Sequence, residues 1–153
     1  MEKEFVPYEL ALKLKELGFN EPCLAYYYKH GNSKKEKLFY YPSQDEYDID
    51  DHPYLELNSK TNNDAPLWQQ AFDWFREEEE LLNHITTHLQ DIGEDGSLVE
   101  SYGYRIMYNK DGYKCDVWEK LARFDTYEES RLECLKRLIE LVESSCQKPE
   151  KIN

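Results

Sequence analysis

The sequence predicts an α+β fold: a single domain over residues 1–153, with an antiparallel β-sheet built from two hairpin regions and packed by three main helices. Three observations predict it. Apolar residues recur at helical spacing in three separate stretches. Tyrosine-rich runs separated by turn residues mark the hairpins. A 153-residue chain with 40% hydrophobic and 14% aromatic residues can bury one real core and is short for two.

The first helix is predicted over residues 7–17. Pro7 suits a first turn, and Leu10, Leu14 and Leu17 fall at i, i+4 and i+7 with Ala11 beside them. Lys13 and Lys15 lie near its end, where cations suit the helix dipole. Gly18 supplies a left-handed residue there, and Phe19 folds back onto the last turn as in a Schellman stop.

Residues 23–29 and 37–41 are short aromatic runs on either side of His30-Gly31-Asn32-Ser33-Lys34-Lys35, which predicts an antiparallel hairpin ended by Pro42. Cross-strand ring pairing accounts for the tyrosines; stacking on a base or sugar is the other reading. Residues 43–64 form an irregular acidic loop broken by Ser43, Pro53, Asn58, Asn62 and Asn63. Its Asp48-Ile49-Asp50-Asp51-His52-Pro53 run lacks the central glycine of a calcium loop.

The densest apolar stretch predicts a buried central helix from Pro66 to about Leu82. Leu67, Ala71 and Trp74 repeat at i, i+4 and i+7, and Trp68, Phe72 and Phe75 repeat the spacing one residue on. Its tail, Glu77, Glu78, Glu79 and Glu80, places four carboxylates at the negative end of the dipole. Arg76, four residues before Glu80, offers relief.

Two histidines, His84 and His88, follow. On a helix they would share a face, but a zinc-protease motif needs Glu after the first His, and this chain has Ile85. The β-branched Ile85-Thr86-Thr87 favours a strand, which sets the two imidazoles ~13 Å apart and excludes a shared metal. Asp91 to Ser101 reads as a turn-rich connection. Tyr102, Tyr104, Ile106 and Tyr108 then alternate with smaller or polar residues, and Asp111-Gly112 turns the chain into Tyr113, Cys115 and Val117, a hairpin over 102–119. Thr126 and Glu129 make a capping box for a last helix with Leu132, Leu135, Leu138, Ile139 and Val142 on one side and Leu141 broadening it. The tail 147–153 is expected to fray.

The net charge of −13 is unevenly placed. Residues 1–44 carry seven Lys against six Glu, and residues 101–153 balance at ten each. Residues 45–100 hold sixteen Asp and Glu against Lys60 and Arg76 alone. Such a field repels nucleic acid and attracts a cationic protein surface. The start of the chain lacks a basic region followed by an apolar run, and no stretch nears the ~20 apolar residues of a membrane span. The four cysteines are scattered singly, as reduced thiols of a cytoplasmic protein would be.

No Gly-rich phosphate loop, G-x-S-x-G elbow, H-E-x-x-H or C-x-x-C occurs, so no catalytic residue, metal or cofactor is assigned. The segments Tyr8 to Phe19 with Glu21-Pro22-Cys23, Ala65 to Gln70 with Trp74 to Glu77, and Phe124 to Glu129 resemble a family of small uncharacterised proteins encoded in Bacteroides genomes and their prophages. The resemblance spans nearly the whole chain and implies no activity. The Glu77–Glu80 run and the Asp91–Ser101 connection depart from the family's pattern.

The functional expectation is a non-catalytic, phage-associated accessory protein that meets a basic protein surface through Asp45, Glu46, Asp48, Asp50, Asp51 and Glu77 to Glu80. One specific form imitates nucleic-acid charge. The alternatives are a small enzyme or metal-binding domain using His84, His88 and nearby carboxylates, and a homo-oligomer joined through its tyrosine-rich sheet.

Overall fold

A computed structural model of the chain describes residues 2–28, 36–41, 63–91, 98–110, 113–117 and 123–146. The fold is α+β, with three α-helices and two antiparallel sheets among the described residues. The chain divides into two compact units, Met1–Ala71 and Phe72–Asn153.

In the first unit, helix α1 spans Tyr8–Leu17, with the Pro7 carbonyl accepting the Leu10 and Ala11 amides. It stops as its sequence predicts. Gly18 sits at φ +106°, its N–H donates to the Lys15 carbonyl at 3.1 Å, and the Phe19 N–H donates to the Leu14 carbonyl at 2.9 Å. These are the two bonds of a Schellman motif, and Phe19 is buried behind them.

Strands β1 (Ala25–Tyr28), β2 (Lys37–Tyr40) and β3 (Asn63–Ala65) form a sheet in the order β2-β1-β3. The predicted hairpin is β1–β2. One face carries Ala25 and Ala65 against Phe5, with Tyr27, Leu38 and Leu67 packed around them. The Tyr27 hydroxyl reaches the Val6 carbonyl at 2.6 Å. On the other face Tyr26 lies opposite Phe39 and stacks on it, ring centres 5.8 Å apart. Cross-strand ring pairing accounts for Tyr26, while Tyr27 lies opposite Leu38 and bonds outside the sheet.

β3 corrects the expected loop, because Asn63, read as a breaker, pairs with Tyr27 of β1. The same pairing displaces the start of the central helix. The Pro66 carbonyl accepts the Val6 N–H, and Leu67 bridges to Phe5, so both residues still belong to extended chain. Helix α2 runs Trp68–Glu78 rather than Pro66 to Leu82. The Gln70 side chain accepts the Leu67 N–H at 3.0 Å, capping it from the third helical position. Its aromatic face is buried as expected, through Trp68, Ala71, Phe72, Trp74 and Phe75.

In the second unit, β4 (Leu81–Asp91), β5 (Leu98–Lys110) and β6 (Tyr113–Val117) form an antiparallel sheet in the order β4-β5-β6. β4 and β5 pair without interruption from Leu81 opposite Tyr108 to Asp91 opposite Leu98. The strand expected at the histidines is there, longer than expected. Leu81 and Leu82, read as helix, start it, and the expected connection yields Asp91 to β4 and residues 98–101 to β5. The hairpin predicted over 102–119 is β5–β6, and Phe124 exchanges both backbone bonds with Tyr102.

Helix α3, Tyr127–Cys146, begins where Thr126 Oγ1 accepts the Glu129 N–H at 3.2 Å. It packs on β4 and β5 through a buried stripe of Cys134, Leu135, Leu138, Ile139 and Val142. Ser130 also falls on the buried side, and its hydroxyl has no hydrogen-bond partner among the described residues. Residues 43–62 and the tail 147–153 lie outside the described residues.

Candidate functional site: the acidic end of helix α2

Trp74 and Phe75 are buried, so the following residues are presented outward. The Glu79 N–H makes the last bond of helical type, to the Phe75 carbonyl at 3.3 Å. Glu80 then adopts φ +55°, and Leu81 enters the core at the start of β4. A residue with a Cβ in the left-handed region costs roughly 1–2 kcal/mol. Glu80 is the non-glycine residue at positive φ among those described.

Glu77, Glu78 and Glu80 are exposed, while Glu79 is partly covered. Burial, and then the charge of Glu78, hold the Glu79 carboxyl above its ordinary range. Arg76 does not reach toward Glu80 as its spacing suggested. It pairs with Asp73 at 2.6 Å and stands 3.8 Å from Glu77. The carboxylates of Glu78 and Glu80 make no ion pair among the described residues. Four acidic side chains and the unpaired carbonyls of a helix C-terminus therefore share one small negative region. The other acidic candidates, Asp45, Glu46, Asp48, Asp50 and Asp51, lie outside the described residues.

The histidines do not converge. His84 and His88 project from the same face of β4, four residues apart, opposite Arg105 and Ser101 respectively. That spacing is ~13 Å along a strand. His88 Nε2 instead lies 3.0 Å from the Thr86 hydroxyl. Among the described residues no group of three His, Cys, Asp or Glu could hold a metal ion. His30 and His52 lie outside them.

One cluster escaped sequence reading. Tyr41, just after β2, donates its hydroxyl to Asp64 on β3 at 2.7 Å, bridging over the central strand β1. Cys23 donates its thiol to the Glu21 carbonyl at 3.5 Å. Burial, then the charges of Asp64 and Glu21, push that thiol up to about 12, and burial followed by the Asp64 hydrogen bond raises the Tyr41 phenol. A thiol kept protonated is a poor nucleophile, so this cluster ties the sheet together and is not set up to attack a substrate. Its members are 18 and 23 residues apart in sequence, and no local pattern announces them.

The fold and site define a small α+β protein with a concentrated acidic helix terminus. No family model, curated protein or solved structure matches the chain significantly. Among the described residues no helix is long and apolar enough to cross a membrane.

Proposed function

We propose that this is a non-catalytic protein that binds a cationic surface of another protein, using the Glu77–Glu80 terminus together with Asp45, Glu46, Asp48, Asp50 and Asp51. The observation that carries the reading is Glu80. Glycine is the residue that suits its backbone conformation, yet a carboxylate stands there, in a field already negative from Glu77, Glu78 and the helix end. Strain and like-charge crowding kept together at an exposed place are features that binding surfaces show. The concentration of negative charge in residues 45–100 supports the same reading, since it would steer a basic partner toward this part of the chain. The specific form is occupation of a DNA-binding protein's basic face, and the phage setting rests on the family resemblance.

The test is a pull-down on the immobilised full chain across a salt series, with captured proteins identified by mass spectrometry. Basic proteins should be held at low ionic strength and leave as the Debye length shrinks from ~10 Å near 0.1 M to ~3 Å at 1 M. The triple variant E77Q/E78Q/E80Q should release them at lower salt. Capture indifferent to both salt and the variant would sink the proposal.

A further inference from the structure

One face of the first sheet packs on Phe5 through Ala25 and Ala65, and the register fixes what the other face carries. Phe39 and Asp64 lie opposite Tyr26 from its two neighbouring strands, so all three share that face. Tyr41 follows Phe39 by two residues and Leu24 precedes Tyr26 by two, which puts both on it as well. The Tyr41 N–H donates to the Leu24 carbonyl at 2.9 Å, joining the two. The Tyr41 ring lies against Tyr26, centres 4.8 Å apart and planes 41° apart, and its hydroxyl reaches Asp64. Tyr26 is buried there, whereas Tyr41 is 37% exposed and Leu24 63%.

This aromatic end of the sheet is also negative. An ionised carboxylate offers about four acceptor sites, and at Asp64 the Tyr41 hydroxyl fills one, on Oδ1. Among the described residues no cation pairs with Asp64 or with Glu21. The charges of both reach the Cys23 thiol, so the two carboxylates stand close to one another's surroundings. Lys37 shares the face but lies opposite Tyr28, at the far end of β2. A tyrosine ring presents a negative face of its own. An exposed ring, an underused carboxylate and an exposed leucine together fit one class of ligand, a cation on an apolar stem.

We propose that this end of the sheet binds an arginine side chain of a partner protein. The guanidinium lies on the face of Tyr41 turned away from Tyr26 and donates to Asp64 Oδ2, and the methylene stem covers Leu24. Arginine fits better than lysine because its planar fork stacks on a ring while bonding a carboxylate, whereas an ammonium is a compact, strongly hydrated charge. The source is a side chain because a bare guanidinium ion would leave Leu24 uncovered. The site belongs to the first unit, and the inference stands apart from the Glu77–Glu80 reading.

Titrating the isotope-labelled full chain with N-acetylargininamide, followed by two-dimensional amide NMR, tests the proposal. Saturable shifts centred on Leu24, Tyr41 and Asp64 are expected. N-acetylcitrullinamide, similar in shape but neutral, should produce none, and N-acetyllysinamide should bind more weakly. Asp64→Asn should weaken arginine binding about tenfold, as a charge-assisted bond becomes a neutral one. Tyr41→Leu keeps an apolar cover over Tyr26 and should weaken binding about two- to fivefold through loss of the ring face. The E77Q/E78Q/E80Q variant should bind arginine as the wild type does. No saturable shift at the three residues, or an equal response to citrulline or lysine, overturns the proposal without requiring any variant to fold. Loss of binding in E77Q/E78Q/E80Q would place the arginine on the helix terminus and overturn it too.

Discussion

Among the described residues two helices end in a left-handed residue, and they differ in what occupies it. α1 closes on Gly18, α2 on Glu80. At Gly18 backbone, side chain and charge agree: the residue tolerates positive φ, two backbone bonds close the motif, and a buried Phe19 covers it. At Glu80 they disagree, because the side chain is strained and adds to a negative region. The first terminus follows what stability alone selects. The second departs from it, and that departure is the physical case for a function there.

The largest expected effects test whether buried aromatic rings fix both stops. Phe19→Ala and Phe75→Ala should each lose about 3–5 kcal/mol in denaturant unfolding. A loss below about 1 kcal/mol at either site breaks the parallel between the termini.

Exchanging the left-handed residues sharpens it. A Cβ at Gly18 would meet nothing within 4 Å, so Gly18→Ala carries a purely conformational cost, about 1 kcal/mol. Glu80→Gly should go the other way, raising stability by up to about 1 kcal/mol while loosening capture of basic partners. If Glu80→Gly destabilises the chain, Glu80 is making a structural contribution and the contrast fails.

A smaller effect concerns Glu79. Its folded carboxyl titrates above the unfolded value, so the fold favours the protonated form. That contribution is fully present below the unfolded value and is lost as pH rises through the folded one. At neutral pH Glu79→Gln should therefore gain stability, by less than about 0.5 kcal/mol given how exposed the site is. The gain should vanish in acid, read from midpoints at two pH values.

The least visible prediction compares one thiol from each unit. Burial raises Cys134 to about 12, as burial with neighbouring charge does Cys23. Both should alkylate slowly near pH 8. Stability should fall as pH climbs from the ordinary thiol range toward 12, where the unfolded chain has already shed those protons.

Much of the fold was legible because its signals are local. The spacing of Leu10, Leu14 and Leu17 with Gly18 fixed α1 and its stop, Thr126 with Glu129 fixed the start of α3, and the alternation from Tyr102 to Tyr108 and from Tyr113 to Val117 marked the strands that pair as β5 and β6. What was missed depends on distant pairing. Asn63 and Asp64 have poor strand propensity and become β3 only because β1 offers them an edge. Pro66 looked like a helix start until Val6 and Phe5 claimed it and Leu67 as extended chain. Leu81 and Leu82 continued the helical spacing but pair with β5. At the site, the Glu77–Glu80 run was visible as charge. Its left-handed turn was not, since glutamate does not advertise positive φ.

Ser130 marks a reserve the chain leaves unused. Its oxygen is buried with no hydrogen-bond partner among the described residues, and leaving a buried hydroxyl unsatisfied costs about 1–3 kcal/mol. Alanine at 130 is a close steric match and sheds that penalty, so Ser130→Ala is expected to raise the melting midpoint. A protein with such headroom can absorb a disruptive change elsewhere, which makes this substitution a useful background for variants that would otherwise not fold.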